Sequence, residues 1–578
     1  MLKFIARLLS KIFGFLGGNK MPRNTQTLSN VDTAWLNLDE PTNMMMITGV
    51  MTFRKPINLD HLQAVIEHRW LKFDRFSQRL VRPNGAAAKP YWETDPYFDI
   101  RSHFHRIALP APGDQEALQQ MVSDLMSTPL DFSKPLWQFH LVENYGDGCA
   151  IVARIHHSIA DGLALIYVLL SLSDMTPDAP WPEADLDLEE DDDGGIFSGA
   201  LGALFRHSRS LLRTAGTISG KVVRGSWSTI RDPNKAMRLA HSGADAGYAT
   251  SRLLLRPDDP QTTFRGALGA VKKGAWSRPV PLKDVKRIKN ATRTTVNDVL
   301  VSAMAGALRR YMLDKGDEPL DFRTTIPVNM RTPQEMGQLG NKFGLVFLNL
   351  PISIADPLDR LAEVHVRMEE LKRSAEAGVI LATLNVVGMS PSQVQDVIVS
   401  ILARKASGVL TNVPGPPIPL FLAGREIEDI MFWAPQAGRL GLGISILSYA
   451  GKVYLGVATD VNIIPDPETV IKGFYEELDL LLTTIPPDQK RKAPAVQKQS
   501  PKQSDDLTQI HGLTSAVAEL LQREGILNYE QLAACNGQSL RRILDDAGPP
   551  SSNLDPANWP AQARYLSQIR HDSETAGA

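Results

Sequence analysis

One stretch near residue 155 limits what this chain can fold into more than any other. Residues 149–155 form an apolar run, broken only by Arg154, that predicts a buried strand. Residues 163–172 form a second apolar run that predicts a buried helix. The residues between them, 156–162, contain two adjacent histidines followed by an Asp-Gly pair. The pattern therefore predicts a strand, a short loop and a helix, with polar side chains presented on a rigid scaffold.

The histidines suit proton transfer at neutral pH. An unperturbed histidine has a pKa near ~6.5, so a neutral ring at His157 could accept a proton. Asp161 could hold a ring or the loop, and Gly162 would allow a tight backbone turn. Two buried histidines satisfied by backbone groups are one alternative, and a metal site built from His156, His157 and Asp161 is another. Adjacent histidines at a strand end point apart and the chain has no HExxH segment, so no metal site is expected.

The histidine pair with Asp161 and Gly162 matches the HHxxxDG signature of the bacterial wax ester synthase/diacylglycerol acyltransferase family. That family belongs to the wider group of CoA- and carrier-dependent acyltransferases. Residues 43–46 read Asn-Met-Met-Met where many members have Pro-Met-His, which indicates a divergent branch. The other segments that resemble the family are 28–32 with Trp35, 129–131, 135–137, 296–300, 327–331, 340–344 and 411–416.

The resemblance implies a fold and an activity. The fold would be α/β, with two chloramphenicol-acetyltransferase-like halves around a central tunnel and a small all-α module after them. The enzyme would be an O-acyltransferase that moves a long-chain acyl group from acyl-CoA to a fatty alcohol or a diacylglycerol, giving a wax ester or a triacylglycerol. A condensation-type acyltransferase with another carrier or acceptor is the alternative, and a non-enzymatic scaffold is a third.

The resemblance also assigns roles to residues. His157 would be the general base that takes the proton of the acceptor hydroxyl and passes it to the departing CoA thiolate. His156 would support the loop, Asp161 would hold it by hydrogen bonds without relaying protons, and Gly162 completes the catalytic motif. No cofactor is expected beyond acyl-CoA as a co-substrate, and the chain has no G-x-S-x-G segment of a serine hydrolase. The candidate substrate-binding residues carried over from the family segments are Asn297, Asp298, Pro135, Leu136, Trp137, Asn341 and Asn412. Asn297 could instead cap the helix that begins near residue 296.

Length and composition divide the chain into segments. A chain of 578 residues is too long to bury a single core. In chain order the segments are a basic amphipathic membrane-docking helix at 1–20, an acyltransferase half with the histidine motif at 21–175, an acidic linker and basic helical crossover at 176–265, a second acyltransferase half at 266–485, a linker at 486–504 and a helix-hairpin-helix-like module at 505–578.

The first twenty residues have the pattern of a helix that lies on a membrane surface. Lys3, Arg7 and Lys11 recur every four residues among apolar side chains. A helix docked on the core is the alternative, whereas a secretory signal is disfavoured because Arg7 and Lys11 interrupt the apolar region. The basic stretch 196–238 could also face a membrane, or be a solvated crossover. No apolar run reaches the ~20 residues of a membrane span, so we expect a cytoplasmic enzyme bound peripherally to the inner membrane face or to lipid droplets.

The C-terminal module is not expected to bind nucleic acid. Its hairpin reads Gly512-Leu513-Thr514, without the second glycine that is usual in DNA-binding hairpins of this type. Residues 505–578 contain ten acidic and five basic residues, a net charge of −5, which would repel a phosphate backbone. The module would instead pack on the enzyme or dock a protein partner.

Overall fold

A computed structural model of the chain describes residues 25–83, 89–179, 256–331, 335, 338–374, 376–390, 392–436, 438–485, 505–535, 540–541, 543–544, 556, 558–564 and 566–567. The predicted helix at 1–20, most of the 176–265 segment and the 486–504 linker lie outside the described residues. The chain divides into two compact units, Met1–Pro487 and Asp488–Ala578.

The first unit contains both strands and helices throughout its described residues. Up to residue 179 they are β1 (Thr25–Thr27), α1 (Asn30–Asn37), β2 (Met46–Phe53), α2 (Leu59–Val65), β3 (Gln78–Val81), β4 (Tyr91–Thr94), β5 (Phe104–Ala108), α3 (Gln115–Met126), β6 (Trp137–Tyr145), β7 (Gly148–His156) and α4 (Gly162–Leu172). From residue 256 they are β8 (Lys272–Trp276), β9 (Val280–Pro281), α5 (Leu282–Thr292), α6 (Val296–Asp314), β10 (Phe322–Asn329), β11 (Phe343–Leu350), α7 (Pro357–Lys372), α8 (Glu376–Met389), α9 (Ser392–Ala403), β12 (Gly408–Pro414), β13 (Phe421–Leu422), β14 (Arg425–Glu426), β15 (Asp429–Trp433), β16 (Leu442–Tyr449), β17 (Lys452–Asp460) and α10 (Pro467–Thr484).

Two large sheets organise this unit. One has five strands in the order β15-β2-β7-β6-β5, and the other follows the path β11-β10-β12-β16-β17-β8 with β9 beside β17. β6 and β7 form an antiparallel hairpin, and its turn contains Asn144 and Gly146 with positive φ angles of 62° and 53°. The predicted α/β class is confirmed.

One strand of the second half belongs to the sheet of the first half. β15 pairs antiparallel with β2, from Asp429 opposite Thr52 to Trp433 opposite Thr48. β7 lies along the other edge of β2, so the backbone of β2 is hydrogen-bonded on both sides. A continuous ladder therefore joins the two halves in addition to side-chain packing.

A cluster of apolar side chains packs between the halves. Trp35 and Met45 come from the first half, and Phe343 and Ile380 come from the second. Helix α8 reaches this cluster because it packs against both α1 and β11. The ring of His157 stacks on Trp35, so the loop after β7 lies directly against this interface.

Helix α6 begins with a reciprocal cap. The Thr295 hydroxyl accepts a hydrogen bond from the main-chain N–H of Asp298, and the Asp298 carboxylate accepts one from the N–H of Thr295. The alternative that Asn297 caps this helix is therefore wrong, because Thr295 occupies that position. Asn297 lies within the first turn, where its side chain is available for other contacts.

The second unit is a small helical module with its own apolar core. It contains α11 (Ser515–Arg523) and α12 (Tyr529–Ala534). Leu507, Leu521, Leu532 and Trp559 are among the side chains that fill its core. The predicted all-α module is thus present. In the described part of the chain, no helix is both long enough and apolar enough to cross a bilayer.

Candidate active site

The predicted strand, loop and helix form as the sequence indicates. β7 ends at His156, and α4 begins at Gly162. The Asp161 side chain caps α4 by accepting a hydrogen bond from the N–H of Ala164 at 3.1 Å. The loop that carries His157 is therefore short and fixed at both ends.

His157 lies in an aromatic slot at the interface of the halves. Its ring stacks on Trp35 with ring centroids 4.8 Å apart, and the centroid of the Phe343 ring lies 5.6 Å away. Its main-chain N–H donates to the carbonyl of Met45 at 2.7 Å. Burial lowers the pKa of His157 to about 4, because the slot disfavours the charged ring, although the negative charge of Asp161 opposes this shift. The ring is therefore neutral at physiological pH.

His156 is buried on the other side of the strand end. Its Nδ1 accepts a hydrogen bond from the N–H of Ser158 at 3.1 Å and lies 2.7 Å from the Ser158 hydroxyl oxygen. Nε2 lies 3.7 Å from the carboxylate of Asp39. The ring is therefore oriented by its own loop, through Ser158, and by the segment that carries Asp39.

Asp161 connects the histidine loop to the second half. Its carboxylate pairs with Arg331 and accepts a hydrogen bond from the N–H of Lys342 at 3.0 Å. Arg331 also donates to the carbonyl of Gly340 at 2.7 Å. The chain at Gly340 runs beside Ala160 as an isolated parallel bridge. The described contacts of Asp161 are thus those of a residue that holds the loop in place.

The backbone conformation of Gly162 differs from the tight turn that the sequence predicted. Its φ angle lies outside the left-handed region, so no tight turn requires glycine there. A Cβ added at this position would meet no described atom within 4 Å. The expectation that Gly162 permits a tight turn is therefore wrong, and its position borders open space at the start of α4.

Asn341 makes contact with the histidine loop itself. Its side-chain Nδ2 donates to the carbonyl oxygen of His157 at 2.7 Å and to the carboxylate of Asp32 at 2.8 Å. The amide nitrogen is thus used in holding the loop. A direct role of Asn341 in substrate binding stays a prediction.

Asn297, Asp298 and Asn412 form a separate group. Asn297 accepts a hydrogen bond from the amide of Asn412, and Asp298 pairs with His365 at 2.7 Å. Asn412 lies on the same face of β12 as Leu410, which packs in the core beneath α6. No hydrogen bond between described residues links this group to His157. The Asn297 amide nitrogen is buried without a partner in the described part of the chain, so a substrate contact stays a prediction.

The segment Pro135, Leu136 and Trp137 lies in the core of the first half. Leu136 and Trp137 are fully buried. The Trp137 indole donates to the carbonyl of Phe76 at 2.8 Å and stacks on His103 at 4.6 Å. These contacts give Trp137 a packing role, and a role of this segment in substrate binding stays a prediction.

Several residues of the site are not among those predicted from the sequence. Asp32, Trp35, Phe343 and Arg331 all contact the histidine loop or Asn341, although no chemical motif in the sequence singles them out. All four stand inside segments that resemble the family, and that was the available signal.

Two models of one family match the chain. The wax ester synthase/diacylglycerol acyltransferase catalytic domain matches residues 28–300, and the WS/DGAT C-terminal domain matches residues 339–482. Together the two matches include the histidine motif, the segment that contains Trp35 and the segment that contains Phe343. The chain belongs to the wax ester synthase/diacylglycerol acyltransferase family. It is an acyltransferase enzyme, as the sequence predicts.

Curated relatives and solved structures agree with this assignment. A probable diacylglycerol O-acyltransferase of Mycobacterium tuberculosis is 29% identical over 416 residues, which cover 71% of this chain and 84% of the relative. A putative diacylglycerol O-acyltransferase of the same species is 26% identical and covers 79% and 90% of the two chains. The wax ester synthase/diacylglycerol acyltransferase of Marinobacter aquaeolei superposes with a TM-score of 0.57 at 22% identity, covering 79% of this chain and 98% of that one.

The fold extends beyond the family. The first condensation domain of the calcium-dependent antibiotic synthetase superposes with a TM-score of 0.51 at 14% identity, covering 80% of this chain and 98% of that one. A third model, the RS2/RL21/YNQ2 HHH domain, matches residues 507–567. The C-terminal unit is therefore similar to helix-hairpin-helix modules.

Proposed function

We propose that the enzyme transfers a long-chain acyl group from acyl-CoA to the hydroxyl of a fatty alcohol or a diacylglycerol, with His157 as general base. The observation that carries this proposal is the burial of the His157 ring in the slot between Trp35 and Phe343, which lowers its pKa and so favours the neutral form that can accept a proton. The names of the relatives support diacylglycerol as one acceptor class.

A single histidine is enough for the chemistry. As the hydroxyl oxygen of the acceptor attacks the thioester carbon, His157 takes the hydroxyl proton and the new C–O bond forms. The tetrahedral intermediate then expels the CoA sulfur, the C–S bond breaks, and the same proton passes from the imidazolium to the thiolate. The nearby charge of Asp161 stabilises the transient imidazolium, while its bonds to Arg331 and Lys342 keep it from taking the proton.

The test uses purified protein, palmitoyl-CoA and either hexadecanol or diolein, with release of the CoA thiol as the measurement. His157→Ala should lower kcat by ~10²–10⁴-fold, the loss typical of removing a general base. His156→Ala should lower kcat less, because that ring contacts Ser158 and Asp39 and has no part in the proposed proton transfer.

His140→Ala is the matched control, because His140 is also buried and lies outside the motif. It should keep near-normal turnover, and circular dichroism should show all three variants folded. Near-normal turnover of a folded His157→Ala protein would reject His157 as the base.

A further inference from the structure

Asp32 lies far from the histidine motif in sequence but reaches its main chain through one side chain. Asp32 is 4% exposed, and its carboxylate accepts hydrogen bonds from the main-chain N–H of Asn341 at 3.1 Å and from the Asn341 side-chain amide at 2.8 Å. The Ser29 hydroxyl donates to its other oxygen at 2.7 Å. The same Asn341 amide donates to the carbonyl oxygen of His157 at 2.7 Å. One carboxylate thus orients the group that holds the His157 main chain.

The segments that contain Asp32 and Asn341 also hold the His157 ring. Trp35 follows Asp32 by three residues on α1, so the two side chains lie on one face of that helix. Phe343 follows Asn341 by two residues at the start of β11. These two segments, one from each half of the enzyme, therefore hold His157 at its carbonyl oxygen and at its ring, in addition to the hydrogen bond from its N–H to Met45.

We propose that Asp32 is a positioning residue for the base. It fixes the Asn341 amide, and the amide sets the His157 main chain so that the ring stays in the slot between Trp35 and Phe343. Burial raises the pKa of Asp32, while the hydrogen bonds from Ser29 and Asn341 oppose this shift because they favour the charged carboxylate, which is the stronger acceptor. The inference rests on the proposed function of His157 and goes beyond it, because it makes the base dependent on a contact between the two halves.

The kinetic test compares variants of this pair with a matched control. The variants are Asn341→Ala, Asp32→Ala and Asp32→Asn. Asn43→Ala is the control, because Asn43 is also buried and its amide donates to a main-chain carbonyl of the other half, that of Gln436, at 2.7 Å. Both asparagines thus join the halves, but the Asn341 amide is the one that donates to His157.

Asn341→Ala and Asp32→Ala should lower kcat on the order of 10²-fold, the loss expected when a reacting group is misplaced by about 1 Å, with KM for palmitoyl-CoA changed by less than about threefold. Asp32→Asn keeps an acceptor oxygen without the charge, so it should recover part of that loss. Asn43→Ala should stay within about threefold of the wild-type kcat, since the base keeps its place. Equal losses in Asn341→Ala and Asn43→Ala, or a loss confined to KM, would show that Asp32 and Asn341 only join the halves.

A second measurement needs no turnover. Ring currents from Trp35 and Phe343 should displace the imidazole proton resonances of His157 in a histidine-labelled sample, with assignment by His157→Gln. Asn341→Ala and Asp32→Ala should return these resonances toward unstructured values, and Asn43→Ala should not. A wild-type enzyme that uses neither acceptor would reject the proposed function, whereas unchanged His157 resonances in Asn341→Ala would reject the positioning role alone.

Discussion

The surroundings of His157 decide the protonation state of the base. Trp35 and Phe343 replace water around the ring, so burial outweighs the favourable charge of Asp161 and the pKa falls to about 4. An unperturbed histidine would be partly protonated at mildly acidic pH. The slot therefore extends the pH range in which the base can accept a proton.

The first prediction at this scale concerns the pH dependence of kcat/KM. If His157 is the base, as we propose, its neutral form is the active one; because its pKa lies below the ordinary value, activity is present above the folded pKa and is lost as pH falls through about 4. The ionisation of His157 should leave kcat/KM unchanged between pH 7.5 and 5.5. Thiol release measured across this range checks the prediction. A half-maximal loss of kcat/KM near pH 6.5 that persists in variants of the other histidines would contradict it.

At the scale of elements, local patterns predict much of the fold. The strand predicted at 149–155 forms as Gly148–His156, and the helix predicted at 163–172 forms as Gly162–Leu172. Each has a strong apolar pattern and a clear boundary. The hairpin of β16 and β17 follows the same rule, because a turn segment at 448–451 between two apolar runs predicts it, and Ala450 and Gly451 there have positive φ angles.

Elements that depend on distant partners could not be predicted in the same way. Helix α8 is apolar on every face, so it lacks the amphipathic period that marks a helix in sequence. The contact between Asp32 and Asn341 could not be predicted for the same reason. The two residues lie 309 positions apart in the sequence and come together only in the folded chain. The motif locates the histidines in the sequence. The side chains that pack on His157, those of Trp35 and Phe343, come from segments without a chemical motif.

A prediction at this scale concerns the contact of α6 with α10. Gly306 faces a buried ion pair between Arg360 and Glu477, and an added Cβ would lie 2.6 Å from the Arg360 Nη2 atom. Gly306→Ala should therefore displace the ends of the Arg360 and Glu477 side chains and lower the free energy of unfolding by ~1–3 kcal/mol, the typical cost of adding a methyl group to a well-packed core. Urea denaturation checks this, with Leu313→Ala at an exposed position of α6 as the control. Equal midpoints for the two variants would show that the helix shifts to accept the methyl group.

At the scale of the whole molecule, the catalytic and helical units have separate cores. Each residue of the proposed site lies before residue 486, and the family models match the catalytic unit without the module. The described core of the C-terminal unit is formed by its own side chains. We therefore expect acyl transfer to be independent of the module.

The corresponding prediction uses a chain that ends at Lys490. It should keep the wild-type kcat within about threefold, because an independent core tolerates the loss of a separately folded unit. The fragment 505–578, with its net charge of −5, should not shift duplex DNA at physiological salt. Salt-sensitive DNA binding by the fragment would overturn the second expectation, and inactivity of a folded truncated enzyme would overturn the first.

A last prediction concerns membrane attachment, which we propose for the basic segment 1–20. Anionic lipid attracts each basic residue near its surface by ~1 kcal/mol, and this segment contains Lys3, Arg7, Lys11 and Lys20. Deletion of residues 1–20 should weaken flotation with anionic liposomes more than with neutral ones. Unchanged flotation with both would favour the alternative of a helix docked on the protein core.

The strand that crosses between the halves also affects how the enzyme is made. β2 ends at Phe53 and β15 ends at Trp433, so roughly 380 residues are synthesised after β2 before its second neighbour exists. At ~5–20 residues per second, that interval lasts roughly 20 to 80 s on the ribosome. During this interval, β15 is not yet available to cover its edge of β2. Unpaired N–H and C=O groups at such an edge can form hydrogen bonds with another nascent chain. Production of this enzyme should therefore depend on chaperones that shield the edge, and slow translation should lower its soluble yield.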